Sequence, residues 1–140
     1  MNRAVVIKVL KFVGTWLPTG MLVFVFTSQG LAKFDATSGW ARAFEVWGYP
    51  EWFRQLIGVQ ELLAAALLVW PRTAPIGAAL VIITMLGGIG THIAANDRWW
   101  FRSESGPILF ATIVLLFPPP QIAALAAMFR GARSNSTPAP

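Results

Sequence analysis

The chain contains no cysteine. That excludes disulfides, thiolate metal sites and cysteine-based redox or nucleophilic chemistry from these residues. Charge is scarce as well. Only 12% of the 140 residues are Asp, Glu, Lys or Arg, about half of what a soluble domain of this length carries. Histidine occurs once, at His92. One His and one Glu on different helices do not make a metal ligand set, and haem would lack its second ligand, so no metal site is expected. Gly-rich phosphate loops, Ser/His/Asp spacing and a nucleotide fingerprint are also missing. The net charge of +5 does not point to nucleic acid, because the Lys and Arg residues flank apolar segments and form no dense patch. They read as topological charge.

What fills the chain is apolar: 56% of residues are hydrophobic, in long runs. Residues 51–70, EWFRQLIGVQELLAAALLVW, form the clearest one. At 1.5 Å per residue such a helix is long enough to cross a bilayer core of roughly 30 Å. Further spans are expected over residues 12–34, 74–95 and 106–117. The first follows Arg3, Lys8 and Lys11 like a signal peptide, yet runs too long and lacks a small-x-small cleavage site, so it reads as uncleaved. Pro18 should kink it or mark its true start. The span at 74–95 is rich in Gly77, Ala78, Ala79, Gly87, Gly88 and Gly90, residues that let helices approach closely in lipid. Pro107 suits the first turn of the last span.

Between the first two spans, residues 35–50 are too polar to cross. Thr37 or Ser38 caps a short helix there, and Trp40, Phe44 and Trp47 recur on one of its faces. This reads as an amphipathic helix in the interface or a lid over the bundle, and the two are compatible. The expected fold is therefore an all-α polytopic membrane protein: a four-helix transmembrane bundle over residues 1–130 with a short interfacial helix between spans one and two. Residues 121–130 are either one more interfacial turn or a helix continuation, and residues 131–140 a disordered tail.

Orientation is read from charge. The two termini and the 71–75 turn hold six Lys/Arg and no acid, against five Lys/Arg with Asp35, Glu45, Glu51, Asp97 and Glu104 on the other face. Both termini are expected on the cytoplasmic side. Trp40, Trp47, Trp52, Trp99 and Trp100 would then form an aromatic belt on the outer face.

Glu61 lies in the middle of an apolar span, where a carboxylate needs a partner, a proton or a water-filled cavity. The stripe Arg54, Gly58, Glu61, Ala65 is small and polar, while Leu56, Val59, Leu63 and Leu67 lie opposite, so Glu61 faces other helices. Thr84, Gly88 and His92 share a stripe on the next span, with Thr91 beside it. Gln29 and Lys33 sit one turn apart near the end of the first span. Lys33 alone reads as a side chain snorkelling to the interface. Together with Glu61 and His92 it could form a proton-exchanging group, since an imidazole relays protons near neutral pH. The expected site has Glu61, His92 and Lys33 as catalytic residues, with Gln29, Arg54, Thr84 and Thr91 binding the ligand. Such a pocket suits a quinone, whose carbonyls each need a proton and a hydrogen-bond donor. The bland alternative is a buried polar network that glues helices together.

The order GLAKF at the end of the first span, then YPEWFRQLIGVQELLAAALLVWPRTAPIGAALVIITMLGGIGTHI, resembles the DoxX and DoxX-like family of small bacterial membrane proteins, over about residues 20–117. The matching positions are Gly30 and Lys33 in G-x-x-K, Gly58 and Glu61 in G-x-x-E, Pro71-Arg72 at the turn, and His92. The resemblance implies a four-helix bundle in the bacterial inner membrane. It also implies kinship with a subunit of a thiosulfate:quinone oxidoreductase, and with helpers of oxidative-stress and cofactor-maturation systems. The leading expectation is a membrane oxidoreductase subunit that binds quinone or another lipophile and takes electrons from a partner protein. Its partners are then the bilayer, a lipophilic small molecule, and a second subunit or further copies of itself. A non-catalytic assembly helper is the alternative, and a small-molecule or proton carrier a weaker one.

Overall fold

A computed structural model describes residues 3–96 and 105–119. Five α-helices make up its regular structure among the described residues: α1 Arg3–Ala32, α2 Gly39–Val46, α3 Glu51–Val69, α4 Ala74–Ala94 and α5 Ser105–Leu116. The chain is a helical membrane protein: α1, α3 and α4 are long and apolar enough to cross a bilayer, and α5 is a shorter apolar helix. The paired Trp99 and Trp100, with Asp97 and Glu104, lie outside the described residues, as do the segments 121–130 and 131–140.

Helix α1 begins well before the apolar run does. Nothing near Lys11 stops a helix, and the limit of hydrophobicity is not the limit of hydrogen bonding. Pro18 lies inside α1 and does not start it. Nearby hydroxyls occupy carbonyls around that interruption: Thr15 donates to Lys11 and Phe12, and Thr19 to Thr15 at 2.7 Å, a common accommodation of proline in membrane helices. Ser38 caps α2, its hydroxyl accepting from the Ala41 N–H. Gly48, at φ 77°, turns the chain out of α2, where other residues would be strained. Pro50 precedes the first turn of α3. Thr73 closes the next turn by donating to the Leu67 carbonyl at 2.7 Å.

The four longer helices form a ring in which α1 packs on α3, α3 on α4, α4 on α5, and α5 back on α1; α2 lies against α3. The core is narrow and built on small residues. Leu22 and Phe26 of α1, Leu68 of α3, Val81 of α4 and Val114 of α5 meet around Ala64, Ala78 and Ala111. Gly77 lets α4 press on α3: a Cβ there would lie 2.9 Å from the Ala64 carbonyl oxygen and the Leu68 nitrogen. The outward faces are apolar. Leu10, Leu17, Phe24 and Leu31 recur every seventh residue along α1 and all are exposed, the face a bilayer would cover. On α3, Arg54, Gly58, Glu61 and Ala65 are buried while Leu56, Val59 and Leu63 are exposed.

Candidate functional site: an ion pair at the floor of an aromatic cavity

Helices α1 and α3 touch through glycine. A Cβ at Gly58 would lie 3.0 Å from the Gly30 carbonyl oxygen and from Lys33 Cβ, and one at Gly30 2.9 Å from Leu62 Cγ. Lys33 and Glu61 follow these glycines by three residues each. Because α1 and α3 run in opposite directions, the two side chains leave their backbones pointing toward one another, each tilted toward the start of its own helix. The two short spacings, G-x-x-K and G-x-x-E, thus form one device: the glycines bring the backbones together and the charged residues meet beside the contact.

The Lys33 ammonium donates to both Glu61 oxygens, at 2.9 and 2.8 Å. Their side chains are only 3% and 5% exposed, so each charge depends on the other. This overturns the snorkelling expectation for Lys33, which reaches into the bundle and not out to an interface. Trp40 covers the pair, its ring centre 3.9 Å from Nζ. A desolvated cation over an indole face gains as much as about 2 kcal/mol. Trp40 is held in turn by its indole N–H, which donates to Gln29 Oε1 at 2.6 Å.

Beyond the pair lies a cavity of about 350 Å³, within the usual range of small-molecule sites. Its floor is Lys33 and Glu61. Trp40 and Phe44 of α2, with Trp47 at its end, roof it; Phe53, Ile57 and Gln60 form one wall, and Thr84, Gly87, Thr91 and His92 the other. Phe44 is the hub of the roof, with Trp40, Trp47, Tyr49 and Phe53 rings all within 6.4 Å of it. The buried His92 ring meets Trp47 edge to face at 5.2 Å. Two polar bridges tie the walls. The Tyr49 and Thr91 hydroxyls are 3.0 Å apart, and Gln60 Nε2 donates to Thr84 Oγ1 at 2.9 Å.

Arg54 and Gln29 lie elsewhere. Neither is among the residues that line this cavity, although both were expected to bind its ligand. Arg54 is 3% exposed and donates to the carbonyls of Lys33 and Asp35, and to Glu51 at 3.2 Å. Its guanidinium thereby ties down the backbone of the turn that follows α1, a favourable place for a cation. It also borders a second cavity of about 560 Å³, with Glu45 and Glu51, on the far side of α2. Asp35 anchors the turn into α2. The Thr37 hydroxyl and N–H both donate to its carboxylate, at 2.7 and 2.8 Å. These bonds, the hydroxyl first, hold its carboxyl below the usual carboxylate range, with a smaller contribution from Arg54.

Five residues expected in one site therefore share it: Lys33, Glu61, Thr84, Thr91 and His92. Gln60, Tyr49 and Phe53 were not anticipated. Gln60 had a signal, since an amide in the middle of an apolar span needs a partner as Glu61 does. Tyr49 had none, because nothing in its spacing ties the loop after α2 to α4, and Phe53 sits in the first turn of α3 with no polar group to single it out. Trp40 and Trp47, expected in an aromatic belt, line the cavity; Trp52 is exposed.

In comparisons with known proteins, the family model described as the DoxX-like family matches residues 17–117. No curated protein and no solved structure matches the chain.

Proposed function

The chain belongs to the DoxX-like family, and from that premise we propose that it is a subunit of a membrane oxidoreductase complex, binding a quinone or a comparable lipophile under α2. It would sit in a bacterial inner membrane as four spans, with α2 near the outer surface, both termini cytoplasmic, and electrons supplied by a partner protein. One observation carries the reading: a cavity of about 350 Å³ that is aromatic on its roof and ion-paired at its floor. A quinone head is flat and apolar with two carbonyl acceptors. Trp47 and Phe53, which line the cavity, offer aromatic surface of the kind a flat ring packs on. The Lys33 ammonium, the His92 imidazole and the Tyr49 hydroxyl are donor groups of the kind its carbonyls need. Glu61, Lys33 and His92 are also groups able to hold the protons that quinone reduction takes up.

The test is direct. The protein is purified in mild detergent, extracted with organic solvent, and the extract examined for quinone in proportion to protein. The reading expects a near-stoichiometric amount, and a Glu61→Gln variant that remains folded but loses the ligand. An extract free of lipophile, with Glu61→Gln fully active in its complex, leaves a second reading: an assembly helper whose charges are internal glue. The two-oxygen contact between Lys33 and Glu61 favours that second reading, because the pair satisfies itself without any ligand.

A further inference from the structure

At Gly77 a Cβ would meet the α3 backbone at 2.9 Å, whereas at Gly87, ten residues on, a Cβ would meet open space, with nothing within 4 Å beyond its chain neighbours and its own helix backbone. Gly87 is not spent on close packing, contrary to the expectation for the glycines of this span. It is exposed and also lines the cavity. Ile83, one turn away, does the same and is 58% exposed. The Gln60–Thr84 bridge closes the gap toward the packed end, and α2 closes it from above. The remaining side is flanked by Ile83 and by Thr91, whose hydroxyl donates to the Gly87 carbonyl, and Leu86 and Ile93 are exposed on the same helix.

We infer that the gap at Gly87 and Ile83 is a lateral portal, and that the ligand is an amphiphile whose head lies under α2 while an apolar tail passes beside Gly87 into the bilayer. The inference deepens the lipophile-binding reading and rests on it. A cavity of about 350 Å³ takes a single substituted ring but not a long chain as well. A chain must leave through a wall, and the wall is bare of side chains at Gly87 and Gly88. Lipid supplies the medium on the far side, so a tail passing outward exchanges one apolar contact for another and meets no polar barrier. A head-only water-soluble molecule would have no use for the opening.

Two probes separate head from tail: a tail-less benzoquinone, and the same head carrying a decyl chain. Binding to the detergent-purified full chain is read from quenching of tryptophan fluorescence, since Trp40 and Trp47 line the cavity. In Gly87→Leu the new side chain meets open space and improves helix propensity, so it blocks the portal and leaves the helix intact. In the variant the decyl probe should lose about tenfold more affinity than the tail-less probe does, each read against the unaltered chain. Gly87→Ala, with a smaller side chain, should fall between, and Ile83→Trp should reproduce the loss from the other rim. Unchanged binding of both probes by Gly87→Leu and Ile83→Trp overturns the portal and leaves the pocket standing. Equal loss of both probes from folded variants also overturns it, since Gly87 would then shape the head site. If the unaltered chain binds neither probe, the portal and the quinone reading fall together.

Discussion

Lys33 and Glu61 hold each other where water scarcely reaches, and the consequences of separating them are lopsided. Removing one partner leaves the other buried and uncompensated, which costs about 3–5 kcal/mol, whereas replacing both by uncharged groups of similar volume is often close to neutral. Lys33→Met and Glu61→Gln should therefore each lower stability by an amount in that range, and the double variant should recover most of it. Unfolding in mixed detergent, monitored by circular dichroism, measures all three. Additive losses would show that the two residues do not act as a unit. Of this pair, Glu61 was legible in the sequence and Lys33 only half so. A carboxylate amid LIGVQELLAAALL has no innocent place, so it declared itself. Lysine near a helix end has an ordinary explanation, and the reason it fails here is directional: at the end of α1 the side chain slants back toward the bundle, where Gly58 leaves room for its stem.

At the scale of elements, α2 is the part whose position decides whether a cavity exists at all. It packs on α3 and is tied down at three places: the Asp35–Thr37 turn at its start, the Trp40–Gln29 bond, and the Tyr49–Thr91 contact after its end. Its amphipathic face was readable from Trp40, Phe44 and Trp47, but periodicity states which residues share a face and not what that face meets. Interface and cavity roof demand the same pattern. The tie at Asp35 has a definite pH dependence. Its carboxyl is held below the ordinary value chiefly by the Thr37 hydroxyl, so the folded state favours the ionised form. That stabilisation is fully present above the unfolded carboxyl's pKa of about 3.9 and fades as pH falls through the lower folded one. The part of the tryptophan emission that depends on this turn should thus stay unchanged from neutral pH down to about pH 4 and change only below it. In Asp35→Asn, whose amide oxygen still accepts from Thr37, the part of that acid step due to this turn should vanish. An undiminished step in the variant would assign the titration to another carboxylate.

For the whole molecule the open quantity is the number of crossings, and it turns on α5. Helices α1, α3 and α4 have the length and hydropathy to span, whereas the 12 residues of α5 extend only about 18 Å. Packing argues that α5 belongs with the others: it lies against both α1 and α4 and buries Ala111 and Val114 in the shared core. Sequence could place an apolar run there but could not weigh its shortness against contacts made by distant helices. The absence of cysteine makes the matter testable without background. Single cysteines are introduced at Ala36, before α2, at Arg72, between α3 and α4, and at Ser136, and intact cells are treated with a membrane-impermeant maleimide. Ala36→Cys should label from outside, and Arg72→Cys only after lysis, because α3 separates them. Ser136→Cys is the deciding position. If α5 crosses, the chain returns and this site is protected like Arg72→Cys; if α5 only dips into the bilayer, it labels from outside like Ala36→Cys. We expect protection. The same experiment tests orientation, since a reversed chain would exchange the two patterns while keeping Arg72→Cys and Ser136→Cys on one side.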